Sequence, residues 1–124
     1  MPEVVKQIVQ GKKVIEVGNL WPKRDFVDVH SMAEVISNLT LTASGIEIVN
    51  IGSGHVQEIG AVLAILKAAS LENIDIISVP ERQRPNDRPF LCPDTTRLTR
   101  LNGAPAKSFT AETARLIFEY EKSR

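Results

Sequence analysis

The sequence contains little cysteine and few aromatic residues, and both shortages narrow the possible classes of protein. Cys92 is the one cysteine among 124 residues, so no internal disulfide can form, and a reducing compartment, the cytoplasm, is expected. Four phenylalanines, one tyrosine and one tryptophan leave few rings on which nucleic-acid bases could stack. Fifteen basic side chains balance fifteen acidic ones, so no excess of positive charge favours nucleic acid. We therefore predict no nucleic-acid partner.

Long hydrophobic runs are also lacking. No apolar stretch approaches the roughly 20 residues of a transmembrane helix, so no membrane association is predicted. The opening residues, "MPEVVKQIVQGKK", lack the apolar centre of a secretory signal peptide. With 43% hydrophobic and 24% charged residues, the composition is that of a soluble globular protein. The length predicts a single domain over residues 1–124.

Segments of helical periodicity alternate with short β-branched runs along the chain. The predicted helices cover residues 2–10, 31–41, 59–69, 94–101 and 110–120, and the predicted strands cover 13–17, 46–51 and 74–79. Residues 24–29 predict a further extended piece, and residues 81–93, with three prolines, predict an irregular loop. This mixed order predicts the α/β class, in a mixed α+β form.

Three of the predicted helices begin at residues that commonly cap a helix. Ser31 is followed three positions later by Glu34, which is the pattern of a capping box. Asp94 and Thr110 stand directly before the last two predicted helices, and both side chains can accept from a free backbone N–H. We expect these three residues to cap their helices.

The segment "NIGSGHVQEIG" raises the question of a dinucleotide site, because its glycines lie between a predicted strand and a predicted helix. A dinucleotide fingerprint needs G-x-G-x-x-G, in which each glycine has its own steric role. Gly52 and Gly54 fit the first two positions, but Gln57 stands at the third. We interpret the segment as an ordinary turn. A Tyr-x-x-x-Lys pair is missing as well, since the one tyrosine, Tyr120, is followed by "EKSR".

Metal and nucleophilic sites find little support in the sequence. His30 and His55 are the only histidines, and neither has a second histidine or a cysteine at ligand spacing. We interpret both as surface or helix-end residues. Cys92 is most simply a buried small apolar residue, although a Cys–His pair stays conceivable.

Positive charge is concentrated in one region despite the overall balance. Between Arg82 and Arg100 there are five arginines and no lysine, with only Asp87 and Asp94 as acids. A second basic pair, Lys23 and Arg24, ends the stretch "GNLWPKR". The planar guanidinium suits phosphate or carboxylate groups. Two interpretations stay open on this basis: an anion site, or a solvated loop whose arginines pair with nearby acids.

Three stretches carry a resemblance to a known family: "VGNLWPKRDFVDVHSMAEVI", "IEIVNIGSG" with "EIGAVLAIL", and "VPERQRPNDRPFLCPDTTRLTRLNGAPAKSFTAETARLIFEY". Together they resemble the extended short-chain dehydrogenase/reductases, which are NAD(P)-dependent nucleotide-sugar epimerases, dehydratases and 4-keto-reductases. The pattern "GNL..KRDF.DV" is most similar to the branch of GDP-mannose 4,6-dehydratase and GDP-4-keto-6-deoxymannose reductase. The resemblance implies the small C-terminal substrate-binding domain of such a protein, without the Rossmann half.

The resemblance also implies which residues contact a nucleotide-sugar. Arg24 and Arg84 would bind the diphosphate, and Lys23 would add charge. Asp87 would accept a hydrogen bond from the ribose. Asn19 would line the base pocket together with the first predicted strand. Trp21 lies within the same motif, at a position that varies in the family, so the resemblance implies no role for it.

The implied cofactor and partners follow from the half that is matched. In the family, the Gly-rich loop and the Tyr-x-x-x-Lys pair belong to the N-terminal half, so this chain is expected to bind no cofactor, although the complete enzyme needs NAD(P). A predicted strand at 46–51 without its larger sheet would expose an edge, which favours a homodimer or a separate NAD-binding half as partner. The alternative is a stand-alone remnant or a protein-interaction module without enzymatic activity.

Overall fold

The computed structural model describes residues 2–42, 44–45 and 48–124. The chain divides into two compact units. Unit 1 comprises Met1–Pro22, Glu58–Pro89 and Thr110–Arg124, and unit 2 comprises Lys23–Gln57 and Phe90–Phe109. The prediction of a single domain over residues 1–124 stays a prediction. The mixed α/β class is confirmed, since helices and strands alternate as expected.

Unit 1 contains three helices and two strands. In chain order they are α1 (Pro2–Val9), β1 (Val14–Val17), α3 (Ile59–Ser70), β4 (Asp75–Ser78) and α5 (Ala111–Lys122), with a 3₁₀ turn at Pro80–Arg82. The two strands are parallel, and their register runs from Val14 opposite Asp75 to Val17 opposite Ser78. Because the strands are parallel, both carboxyl ends lie at the same edge of this small sheet.

Apolar faces of the helices and strands build the core of unit 1. Helix α5 packs against α3 and against α1. The side chains of Ile15, Val62 and Leu66 have no exposed surface. Complete burial of an aliphatic side chain stabilises the fold by about 1.5–3 kcal/mol, so these positions contribute strongly. Thr110 caps α5 as predicted, accepting from the Thr113 backbone N–H at 3.3 Å.

Unit 2 contains two helices and very short strands. Its elements are β2 (Lys23–Arg24), α2 (Val29–Thr42), β3 (Gln57–Glu58, which ends one residue into unit 1), β5 (Phe90–Leu91) and α4 (Thr96–Asn102). The strands follow the order β3-β2-β5, and β2 pairs with β5 in parallel. Three buried residues, Val35, Leu98 and Ala106, form a cluster against which partly buried apolar side chains pack.

The start of α2 differs from the prediction. The helix begins at Val29, two residues before Ser31, and Asp28 caps it by accepting from the Ser31 backbone N–H at 2.9 Å. The Ser31 hydroxyl is buried and accepts instead from the Lys107 backbone N–H at 2.8 Å. The predicted Ser31–Glu34 capping box is therefore wrong. Asp28 accepts from the Ser31 backbone N–H, which the Glu34 side chain was expected to do, and the Ser31 hydroxyl is engaged by the Lys107 backbone.

The predicted strand at 46–51 is wrong over the residues that the structure describes. Residues 46 and 47 lie outside them, and residues 48–51 form no strand. Val49 and Ile51 pack instead against the core cluster of unit 2, while Ile48 is 82% exposed. A strand exists only with a paired neighbour, and β-branched composition alone does not supply one.

Two smaller corrections concern residues 81–96. The predicted irregular loop contains the end of the 3₁₀ turn and strand β5. Helix α4 has Thr95 at its N-cap position, so Asp94, which was predicted to be the N-cap, lies one residue before it. The Asp94 side chain still accepts from the Thr96 backbone N–H at 2.9 Å. Among the described ranges, no helix is both long and apolar enough to cross a bilayer.

Candidate functional site

The carboxyl ends of β1 and β4 bring two loops together in unit 1. The Val79 backbone N–H donates to the Val17 carbonyl at 3.0 Å, and the Ser78 hydroxyl donates to the Gly18 carbonyl at 2.8 Å. The residues that follow β1 therefore lie beside the residues that follow β4. Loops at the carboxyl ends of parallel strands are the usual place for ligand contacts in α/β proteins.

Gly18 permits the two loops to approach so closely. A Cβ at this position would collide with the backbone carbonyl of Arg82. Any larger residue would push apart the turn at residues 18–22 and the loop at residues 79–89. The glycine of the "VGNL" motif is therefore required here by close packing rather than by a turn with positive φ.

Asn19 connects the two loops through its side chain. Its Nδ2 donates to the Arg84 carbonyl at 2.8 Å and to Asp87 Oδ2 at 3.3 Å. Three of the five residues singled out from the sequence, Asn19, Arg84 and Asp87, thus form one cluster, which we call the Asn19 cluster. Residues 19 and 87 are 68 positions apart, so their contact could not be predicted from residue spacing alone.

The two charged members of the Asn19 cluster differ in their surroundings. Asp87 is half-buried and held by Asn19, whereas Arg84 is exposed. Within the described ranges, no side chain forms a hydrogen bond or ion pair with the Arg84 guanidinium, Glu81 included. The cluster therefore combines an exposed arginine, held through its backbone carbonyl, with a carboxylate held through its side chain, and so supplies both hydrogen-bond donors and acceptors.

Neighbouring arginines have other partners. Arg82 Nε lies 3.7 Å from Glu16 Oε2 in an exposed ion pair. Arg97 Nη1 donates to the Ile48 carbonyl at 2.8 Å. The interpretation of arginines paired with nearby acids therefore holds for Arg82 and not for Arg84, while the contact of Arg97 is with a backbone carbonyl.

Arg24 lies in unit 2, at the end of β2. It is opposite Leu91 of β5 in the parallel register, and its Nη1 donates to the Lys23 carbonyl at 2.9 Å. The half-buried Arg24 lines a cavity of about 350 Å³ together with Asp25, Val27, Ile51, Leu91, Cys92 and Pro93. This volume is within the range of small-molecule pockets. Lys23 is exposed.

The glycine turn binds an internal carboxylate, which the sequence analysis missed. Asp25 accepts from the Ser53 backbone N–H at 2.8 Å, from the Ser53 hydroxyl at 2.5 Å and from the Gly54 backbone N–H at 3.0 Å. A Cβ at Gly52 would meet Pro93 and Asp25 Oδ2, so this glycine allows the carboxylate to approach. The 28-residue separation between Asp25 and Ser53 left no local signal for this contact.

The histidines and the cysteine have simple environments. His30 and His55 are exposed, as predicted. Cys92 is half-buried rather than buried, because it lines the Arg24 cavity, and its Sγ lies 3.7 Å from the Pro93 carbonyl. In the part of the chain that the structure covers, no three His, Cys, Asp or Glu residues are grouped so that they could hold a metal ion.

Two carboxyl groups outside the Asn19 cluster have shifted pKa values. The Glu72 pKa is lowered by a hydrogen bond and ion pair with Lys13, whose Nζ lies 3.0 Å from Glu72 Oε2. The Asp94 pKa is lowered by hydrogen bonds from Thr96 at the start of α4. Both groups are exposed, so these interactions belong to local structure rather than to the candidate site.

Solved structures share the fold of almost the entire chain. A candidate epimerase from Burkholderia cenocepacia J2315 is 26% identical, with a TM-score of 0.86 over 99% of this chain and 41% of its own. RMD from Pseudomonas aeruginosa, complexed with NADPH, is 21% identical with a TM-score of 0.80 and the same coverage. UDP-glucose 4-epimerase from Bifidobacterium longum, in complex with NAD⁺ and UDP, is 20% identical with a TM-score of 0.81, over 99% and 39% of the two chains.

No protein-family profile and no curated protein matches the chain. The chain spans about 41% of the length of the Burkholderia and Pseudomonas proteins. The expectation of a small mixed α/β fold is therefore confirmed. The fold of this chain is that of the C-terminal part of epimerases related to the short-chain dehydrogenases.

Proposed function

We propose that this chain is the nucleotide-sugar-binding part of an NAD(P)-dependent epimerase, dehydratase or 4-keto-reductase and is not catalytic alone. The Asn19 cluster carries the proposal, because it joins the exposed Arg84 and the half-buried Asp87 in the loops that follow two parallel strands. The agreement in fold with nucleotide-sugar epimerases supports it.

Each member of the Asn19 cluster has a role that fits its chemistry. The Arg84 guanidinium binds the diphosphate, since its fork of donors matches phosphate oxygens. The Asp87 carboxylate accepts from a ribose hydroxyl. Both Asn19 contacts are made through Nδ2, so the Oδ1 atom is left to accept from an N–H at the edge of the base.

Unit 2 contributes through Arg24 and Lys23. Arg24 lines a cavity of about 350 Å³ within unit 2, and the resemblance implies that it is a second ligand of the diphosphate. Lys23 adds positive charge without a fixed contact. These assignments rest on the resemblance of the "KRDF" motif and on the position of Arg24 in the cavity.

The preferred base is guanine in this proposal. The pattern "GNL..KRDF.DV" is most similar to enzymes that act on GDP-sugars, whereas the Bifidobacterium epimerase is bound to UDP. Base preference is therefore the sharpest point at which the proposed substrate differs from those of proteins with the same fold.

The glycine turn of this chain does not fit NAD(P). The backbone donors of the glycine turn already bind Asp25, and Gln57 stands where a third glycine is needed. Hydride transfer therefore needs a cofactor held by another half, either in the same polypeptide or in a partner. The chain itself binds and orients the sugar nucleotide.

An association surface in unit 2 favours a partner. Leu41 and Ile48 are 81% and 82% exposed, and an apolar groove of about 420 Å³ is lined by residues that include Ile36, Leu39 and Leu101. Exposed apolar area of this kind is typical of association sites. The proposed partner is a separate NAD-binding half or a second copy of the chain. A clean monomer in size-exclusion chromatography with light scattering at micromolar concentration would contradict the homodimer.

This surface also favours the alternative function, a remnant or interaction module that keeps the fold without a ligand. The two proposals differ in what they require of Arg84. A binding protein needs its guanidinium, whereas an interaction module keeps its fold and its association when the guanidinium is removed.

Calorimetric titration with GDP-mannose, UDP-glucose, dTDP-glucose and NAD tests the proposed function. We expect GDP-mannose to bind and NAD to give no heat. Arg84→Ala should weaken GDP-mannose binding about tenfold to hundredfold, since a charge-assisted hydrogen bond contributes about 1.5–3 kcal/mol. Arg115→Ala is the matched control, because it removes an exposed arginine from α5. Absence of heat with every sugar nucleotide would contradict the proposal and favour the interaction module.

A further inference from the structure

Trp21 is an exposed aromatic residue within the turn that carries Asn19. It is the one tryptophan of the chain, and 49% of its surface is exposed. Exposure of so large an apolar side chain forgoes burial that would stabilise the fold. In the described part of the molecule, the indole makes no hydrogen bond or ring contact.

The backbone on both sides of Trp21 is fixed within unit 1. The Leu20 carbonyl accepts from the Gly60 N–H at 2.9 Å, and the Pro22 carbonyl accepts from the Ile59 N–H at 3.0 Å. Pro22 is itself fully buried. The turn is therefore anchored on the first residues of α3. Because the backbone on both sides of Trp21 is already held, ligand binding would have to order few rotatable bonds besides those of the tryptophan side chain.

The same turn positions the candidate nucleotide contacts. Asn19, two residues before Trp21, donates to the Arg84 carbonyl and to Asp87. Tyr120, the other large exposed aromatic of unit 1, lies on α5, where the Arg124 guanidinium lies 5.8 Å from its ring centroid. Trp21 thus combines an exposed indole with closeness in the chain to Asn19 of the cluster.

We propose that Trp21 stacks on the base of the nucleotide and helps determine base preference. This inference rests on the proposed function. An indole offers a broad π-face on which any base can stack, and a purine covers more of it than a pyrimidine does. Trp21 therefore favours guanine over uracil, while the diphosphate contacts treat the two nucleotides alike.

Trp21 is its own reporter, because no other tryptophan contributes to the fluorescence. Titration with GDP should change the emission, and UDP should change it less. Inorganic pyrophosphate should bind without changing the emission, since it has no base, and should compete with GDP. The wild-type protein suffices for these titrations, so the test does not depend on the folding of a variant.

Substitution measures the contribution of the ring. Trp21→Ala should weaken GDP binding about 10- to 100-fold and leave pyrophosphate affinity unchanged. Trp21→Phe should retain part of the affinity, and Trp21→Leu, the apolar control without a ring, should resemble Trp21→Ala. In each variant, the affinity for UDP should fall by a smaller factor than the affinity for GDP.

Failure of this inference differs from failure of the proposed function. If GDP binds in calorimetry but leaves the emission unchanged, and if Trp21→Ala binds GDP as well as wild type does, the stacking role is overturned while the nucleotide site stands. If neither GDP nor UDP binds to wild type, both are overturned.

Discussion

The two units bury their apolar side chains to different degrees. In unit 1, residues of the helices and the parallel strand pair form a core with fully buried members such as Ile15, Val62 and Leu66. In unit 2, the cluster around Leu98 is completed by partly buried side chains, and the strands have only two residues each. The contrast lies in the cores: unit 1 has a core of fully buried side chains, whereas the core cluster of unit 2 is completed by side chains that stay partly exposed.

The comparison is tested most strongly by removing a matched leucine from each core. Leu66 and Leu98 are both completely buried. Leu66→Ala should lower the free energy of unfolding by about 3–5 kcal/mol, and Leu98→Ala by about 2–3 kcal/mol. The smaller loss is expected because partly exposed neighbours of Leu98 can relax into the space. Urea unfolding of both variants checks this, and an equal or larger loss for Leu98→Ala would contradict the contrast.

Two glycines should respond in opposite directions. At Gly52 in unit 2, an added Cβ would meet Pro93 and the Asp25 carboxylate, so Gly52→Ala should cost about 1–3 kcal/mol. At Gly60 in unit 1, the same Cβ would make ordinary contacts of 3.5 Å, and the residue lies in the first turn of α3. Gly60→Ala should stabilise by about 0.5–1 kcal/mol. Thermal unfolding of the two variants checks this. If both midpoint temperatures moved in the same direction from that of wild type, the prediction would be wrong.

The cap of α2 provides a sharper test within unit 2. Asp28→Ala should cost about 1 kcal/mol, because it removes the acceptor for the Ser31 backbone N–H. Glu34→Ala, which removes the glutamate of the predicted capping box, should change stability by less than about 0.5 kcal/mol. Denaturant titration distinguishes them. A larger loss for Glu34→Ala would restore the capping box predicted from the sequence.

The smallest expected effect is a dependence of stability on acidic pH, which involves one carboxyl group in each unit: Glu72 in unit 1 and Asp94 in unit 2. The folded-state pKa values of Glu72 and Asp94 are lowered by Lys13 and Thr96. A carboxyl group whose pKa is lowered on folding adds stability above its unfolded pKa of about 4, and that stability is lost as pH falls through the folded pKa. Asp94→Asn and Glu72→Gln should each be slightly less stable than wild type at neutral pH. The difference should vanish in acid, and a difference that grew in acid would contradict the assignment.

Helices were predicted from the sequence more completely than strands. The 3.6-residue periodicity is local, so α3 begins at Ile59 as expected and α5 begins directly after Thr110. The run at 48–51 has the composition of a strand, but a strand needs a neighbour, and the described chain offers none. Ser31 shows a further limit, since its distant contact with Lys107 has no sequence signal.

The candidate site was predictable in its members but not in its geometry. Family resemblance singled out Asn19, Arg84 and Asp87, and their hydrogen bonds show that they lie together. Residue chemistry alone suggested only an anion site near the arginines. The Asp25 contacts with the glycine turn could not be foreseen, because they join segments 28 residues apart.

The most direct test of the nucleotide site is an amide NMR titration of the protein with GDP-mannose. We expect the largest shifts on the Asn19 side-chain amide and on the backbone amides around Arg84 and Asp87, with saturation at a single ligand equivalent. Shifts confined to α1 or α5, or none at millimolar ligand, would contradict the assignment of the Asn19 cluster as a nucleotide-sugar site.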